Sequence, residues 1–112
     1  MRLPQPKEAD IERVCIQYLS LVLPSMILVR QGQQTRVNAK GRRFWPKNYR
    51  RGVTDYIAGY KGRFIAIEFK TGKGKLSDEQ QQFQADVLRA QCAHIVLRSL
   101  KDAEALVKNL TA

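Results

Sequence analysis

Residues 52–80 read GVTDYIAGYKGRFIAIEFKTGKGKLSDEQ, and the fold turns on this stretch. Two runs rich in branched and aromatic residues, 53–60 and 63–70, flank Lys61-Gly62, a dipeptide suited to a two-residue hairpin turn. Side chains alternate across a strand, so Ile65, Ile67 and Phe69 face one way while Phe64, Ala66, Glu68 and Lys70 face the other. Both faces stay apolar until the strand's end, which predicts a central strand covered on both sides. Counting back from the turn pairs Tyr60 with Arg63, Gly59 with Phe64 and Asp55 with Glu68. Cross-strand partners have Cβ atoms about 4.5–5.5 Å apart. Two carboxylates and the Lys70 ammonium therefore converge at one end of the sheet.

Like charges side by side repel, so this pairing is not expected for stability. A divalent cation resolves the conflict. Mg²⁺ takes hard oxygen ligands and keeps several waters. Asp55, Glu68 and the backbone carbonyl of Phe69 offer three oxygens, with positions left for water and a phosphate oxygen. Lys70, beside such an ion, can orient or help deprotonate an attacking water and offset phosphate charge. The bland alternative is a surface Glu–Lys pair with an unrelated Asp at a turn, and E-x-K alone would favour it. The full set, D-x12-E-x-K across a hairpin, points instead to metal-assisted phosphodiester hydrolysis.

Outward from this hairpin, residues 7–23 have helical period, with Ile11, Val14, Cys15, Tyr18 and Val22 on one face. Residues 25–31 read as a strand. Residues 32–51 are polar, basic and broken by Gly and Pro, with a short strand near Thr35–Asn38. Residues 71–75 form a basic Gly-rich loop. Residues 77–91 read as a helix capped by Ser77, with Gln80 at the capping-box position. A strand at 93–99 and a helix at 102–110 close the chain. The predicted class is α/β, a mixed sheet with flanking helices in a single domain.

The chain has 112 residues and is 44% hydrophobic, enough for one modest core. No apolar run approaches the roughly 20 residues that span a bilayer. The amino terminus lacks the apolar stretch of a signal peptide. Cys15 and Cys92 belong to no CxxC pair and read as buried free thiols in a reducing compartment. The net charge of +10 points to a polyanionic partner. No acid occurs from Arg13 to Thr54, where Arg36, Lys40, Arg42, Arg43, Lys47, Arg50 and Arg51 interleave with Phe44, Trp45 and Tyr49. Such cations neutralise phosphates, and aromatic faces stack on bases. Gly41, Pro46 and Gly52 argue against the basic helix that a membrane surface would take. Lys73 and Lys75 are further phosphate candidates. Trp45 is equally suited to a DNA branch and to a core edge. His94, the one histidine, sits at the start of an apolar strand and reads as structural.

With these residues in hand, the chain resembles the PD-(D/E)xK nucleases through Asp55, Glu68 and Lys70. More closely, RRGVTDYIAG and GRFIAIEFKTGKGKLSDEQQQF resemble the VRR-type nuclease domain of phage and bacterial replication-repair proteins. Thr54 stands where that family has proline. The resemblance implies a restriction-endonuclease-like αβββαβ core. It also implies Asp55 and Glu68 as metal-binding acids for Mg²⁺ or Mn²⁺, Lys70 as the catalytic lysine, and Gln80 as a helix glutamine that positions lysine or water. A first-helix glutamate completes the set. Glu8 lies about 50° from the apolar face and Glu12 about 90°, by the 100° step, which favours Glu8. The implied function is a structure-specific endonuclease on branched DNA such as four-way junctions, acting as a homodimer in the cytoplasm of a bacterial or phage-infected cell. The alternatives are a flap or splayed-arm nickase and a non-catalytic DNA-binding subunit. Met26–Val29 and Leu106, Val107 and Leu110 are candidate dimer surfaces.

Overall fold

Alternating apolar runs build a four-stranded sheet, and period-3.6 runs cover it. The computed structural model describes residues 4–32, 36–44 and 50–112. Its elements are α1 (Glu8–Val22), β1 (Ile27–Arg30), β2 (Arg36–Val37), β3 (Arg43–Phe44), β4 (Tyr56–Tyr60), β5 (Arg63–Phe69), α2 (Asp78–Arg89), β6 (Ala93–Leu97) and α3 (Leu100–Thr111). The main sheet runs β1-β4-β5-β6. The first three strands are antiparallel, and β6 joins β5 in parallel. Without the β2–β3 hairpin the order is the expected αβββαβ, with α3 appended.

The β4–β5 turn is the one read from Lys61-Gly62. Both residues have positive φ, at 47° and 78°, as a type I′ turn requires. Tyr60 pairs with Arg63 and Gly59 with Phe64, so the register is the one counted from the sequence. It assigns Leu28, Tyr56, Ala58, Ile65, Ile67, Phe69, Ile95 and Leu97 to one sheet face. Helices α1 and α3 cover this face, and Ile11, Cys15, Leu19, Ala103, Leu106 and Leu110 bury against it. Helix α2 lies on the other face. There Gln84 Nε2 meets His94 Nδ1 at 3.3 Å, and the Phe83 and His94 rings meet edge to face. His94 is thus a packed residue, and burial holds its pKa below the usual histidine value.

Several expectations need correction. On α1 the buried stripe is Ile11, Cys15 and Leu19, while Val14 and Val22 are exposed. The buried stripe therefore follows the i, i+4 row of Ile11, Cys15 and Leu19 and leaves Val14 and Val22 outside. Leu106 and Leu110 complete this same core and offer no dimer surface. Met26 is likewise buried, whereas Ile27 and Val29 stand exposed. Cys15 is buried and Cys92 only half-buried; both thiols are free. The strand expected near Thr35–Asn38 is β2, and it has an unanticipated partner, β3. Strand β4 begins at Tyr56 and not at Val53, because the chain at 50–54 runs against α2 instead of along β5. Trp45, Lys47 and Tyr49 lie outside the described residues.

Candidate active site

Glu68 is the next-to-last residue of β5, on the sheet face that α2 covers. It is 2% exposed, one of two buried polar or charged side chains beside Thr54 among the described residues. Asp55 precedes β4 by one residue and stands one register step beyond the Tyr56–Ile67 pair, opposite Glu68. Its carbonyl accepts from the Gln31 N–H at 2.8 Å, and its Oδ2 accepts from the Phe69 N–H at 2.8 Å. Phe69 thus enters the site through its amide. Thr54, where the resembled family has proline, is buried with its hydroxyl donating to the Tyr56 carbonyl.

Helix α1 brings the third acid. Continuing its buried stripe backward from Ile11 by three residues reaches Glu8, so the helix aims that side chain at the end of β5. One oxygen from each of Glu8, Asp55 and Glu68 lies within 4.8 Å of the others. Glu12 lies one turn further along the helix and pairs with Arg30 at 3.3 Å. Of the two glutamates, Glu8 is the one that lies with Asp55 and Glu68.

Helix α2 supplies the fourth side chain. Ser77 Oγ accepts from the Gln80 N–H, and Gln80 Oε1 accepts from the Ser77 N–H. The capping box uses the amide oxygen of Gln80 and so turns its nitrogen outward, where Nε2 donates to Glu68 Oε1 at 3.1 Å. The capping-box reading of Gln80 therefore holds, and the group its free nitrogen meets is Glu68. Glu68 Oε2 is left buried with no hydrogen-bond partner.

Burial, then the Asp55 carboxyl, push the Glu68 pKa up to about 8; Lys70 opposes the shift and Glu8 adds to it. An ionised Glu68 therefore lacks a counter-charge of sufficient strength. Three carboxylates, one of them with an orphaned oxygen, form a hard, all-oxygen donor set, the kind that suits Mg²⁺ or Mn²⁺. The residues present fit such an ion. Lys70 is half-buried beside Glu68, and among the described residues its ammonium makes no hydrogen bond or ion pair.

The basic candidates separate into two groups. Lys40, Arg42, Arg43, Arg51, Lys73 and Lys75 are exposed. Lys40 and Arg42 sit at the β2–β3 tip, where Asn38 Oδ1 accepts from both backbone amides. Arg36 is the first residue of β2. Arg50, by contrast, is ion-paired with Asp86 and lies 5.1 Å over the Phe83 ring, so it ties its segment to α2. Sequence reading missed that tie, and it also missed Arg98, whose Nη1 donates to the Thr71 and Gly74 carbonyls. Neither had a signal, because each partner is at least 24 residues away. A cleft of about 490 Å³ lies by Gly62, Phe64 and Cys92, at the opposite end of β5 from the acids. No helix among the described residues is long and apolar enough to cross a membrane.

Among solved structures, a VRR_NUC domain matches with a TM-score of 0.62, covering 90% of this chain and 94% of that one at 14% sequence identity. The chain has the fold of a VRR_NUC domain. No family model and no curated protein matches it.

Proposed function

We propose that the protein is a metal-dependent DNA endonuclease that hydrolyses phosphodiester bonds in branched DNA, four-way junctions foremost. The observation that carries this reading is the buried, unpartnered Oε2 of Glu68 among three converging carboxylates. Glu8, Asp55 and Glu68, with the Phe69 carbonyl as a further oxygen, would hold Mg²⁺ or Mn²⁺, which when bound polarises a phosphoryl oxygen and acidifies water. The other roles belong to the chain. The Phe69 N–H fixes Asp55, and Gln80 fixes one oxygen of Glu68 so that the other stays turned toward the site. Lys70 orients the attacking water; as the neutral amine its Nζ accepts the water's proton, and the ammonium so formed offsets charge on the phosphate. Lys40, Arg42, Arg43, Arg51, Lys73 and Lys75 bind the DNA backbone, with Arg36 and Lys47 on the same basic segment. A two-fold dimer supplies the second centre that paired cuts need.

A second reading has a specific basis. Each chain carries one carboxylate cluster among its described residues, and one centre cuts one strand. A monomer would then be a flap or splayed-arm nickase. The test is a panel of labelled duplex, flap, splayed-arm and four-way-junction DNAs with Mg²⁺, Mn²⁺ or EDTA. Cleavage that needs the metal and is lost in Asp55→Asn, with DNA binding kept, is the expected result. Binding without cleavage in either metal would leave a non-catalytic DNA-binding subunit. Full nicking in EDTA would overturn the mechanism.

A further inference from the structure

The turn that follows Lys70 is built as tightly as the site itself. Thr71 and Gly74 close it, with the Gly74 N–H donating to the Thr71 carbonyl at 3.1 Å. Arg98, one residue past β6, reaches across and donates through Nη1 to both closing carbonyls, at 2.6 Å and 2.7 Å. Its own N–H donates to Asp102 Oδ2 at 2.8 Å, in the first turn of α3. The Lys70 N–H is held by the neighbouring Leu97 carbonyl at 3.2 Å. One arginine therefore links α3, the end of β6 and the turn bearing Lys73, whose side chain is exposed at the tip. Among the described residues this guanidinium makes no ion pair, so its hydrogen bonds go to the turn. In so basic a chain, an arginine directed at two backbone carbonyls shapes a loop and does not contact phosphate itself.

We infer that Arg98 is a positioning residue: it fixes the Thr71–Gly74 turn so that Lys70 and Lys73 meet neighbouring phosphates of the bound DNA from preset positions. This rests on the nuclease reading for its substrate but has tests that do not. Preset cations lose less conformational freedom on binding than mobile ones, so Lys73 contributes more when the turn is held. A guanidinium presents several donors in one planar fork, which an ammonium on a shorter stem reproduces only in part.

The experiment is a double-mutant cycle between Arg98→Ala and Lys73→Ala, with Arg98→Lys as the conservative variant, read as DNA affinity, kcat and KM. Lys73→Ala should weaken DNA binding several-fold in the wild-type background and less than twofold in Arg98→Ala. Arg98→Ala should raise KM and lower kcat about tenfold, with Arg98→Lys recovering part of both. Amide exchange at residues 72–75 should quicken tenfold or more in Arg98→Ala while amides of β5 keep their protection. Additive effects, or unchanged exchange in the turn, would overturn the inference. Loss of protection throughout the sheet would do the same, by making Arg98 a stability residue. If the wild-type protein cleaves no DNA in any metal, the nuclease reading falls, and the affinity cycle and the exchange decide the role of Arg98 by themselves.

Discussion

Glu68 carries an opposition between stability and use. Its carboxyl is buried, Asp55 faces it, and its pKa is raised from 4.5 to about 8. An acid raised in this way stabilises the fold fully below its unfolded value and loses that contribution as pH rises through the folded value. The metal-free protein should therefore lose stability between about pH 4.5 and pH 8. Glu68→Gln removes the charge and keeps the shape, so in EDTA it should be more stable than wild type at pH 8, by on the order of 2–4 kcal/mol. At pH 4.5 the two should nearly coincide, and the variant should not cleave DNA. Thermal melts at both pH values check this. A Gln variant less stable than wild type at pH 8 would mean that Glu68 is held by something other than a cation. Lys70 belongs to the same scale. Lys70→Ala should slow cleavage by about 10²-fold or more, the size of general acid–base assistance, with metal affinity little changed. Activity within threefold of wild type would reduce Lys70 to a phosphate contact. Asp55, Glu68 and Lys70 were legible because strand alternation and a two-residue turn fix their register. Glu8 was only favoured, because the choice over Glu12 depends on how the helix is rotated.

At the scale of elements, what joins the pieces is mostly hidden from the sequence. Gly52 has φ +82°, and a Cβ there would lie 2.3 Å from the Glu79 carbonyl carbon and oxygen and 2.7 Å from the Gln80 nitrogen. The approach to Asp55 is thus pressed against the first turn of α2, the turn that aims Gln80 at Glu68. Gly52→Ala should cost about 1–3 kcal/mol, from strain at positive φ and from overpacking against backbone that cannot yield. Calorimetry checks this, and a variant as stable as wild type would mean that the contact relaxes freely. The sequence showed a glycine three residues before the Asp but not what it touches. The β2–β3 hairpin escaped for another reason. Two-residue strands carry no period, and Arg43-Phe44 has none to read. Its tip places Lys40 and Arg42 beyond the main sheet's pairing, exposed on a basic segment. Each phosphate contact contributes roughly −0.9 to the log–log salt slope of duplex binding. Replacing Lys40 and Arg42 together by Ala should flatten that slope by about one to two units. An unchanged slope would put the DNA path elsewhere.

At the scale of the whole molecule, the proposed junction cleavage asks for a second carboxylate centre, since the described residues of one chain hold one. Symmetric cleavage of a junction needs two centres facing opposite strands, most simply across a two-fold axis. The sheet suggests where a second copy would sit. Ile27, Gly59 and Phe64 stand in one row across β1, β4 and β5, on the face opposite α1 and α3. Helix α2 covers the β6 side of that face, and Ile27 is 65% exposed, Val29 49% and Phe64 42%. The glycine between Ile27 and Phe64 keeps the row flat, and β1 is an edge strand. Light scattering should therefore return about twice the 12.8 kDa chain mass. A cruciform plasmid should be linearised by nicks on opposing strands. Ile27→Glu with Val29→Glu should bring the mass back to one chain. It should also turn paired nicks into single ones, because neither change touches the carboxylate centre of Glu8, Asp55 and Glu68. A wild-type monomer at micromolar concentration, giving only single nicks, would sink the junction reading and leave a structure-specific nickase. A dimer that survives both glutamates would keep the paired cuts but move the interface to the exposed Val14, Leu21 and Val22 of α1.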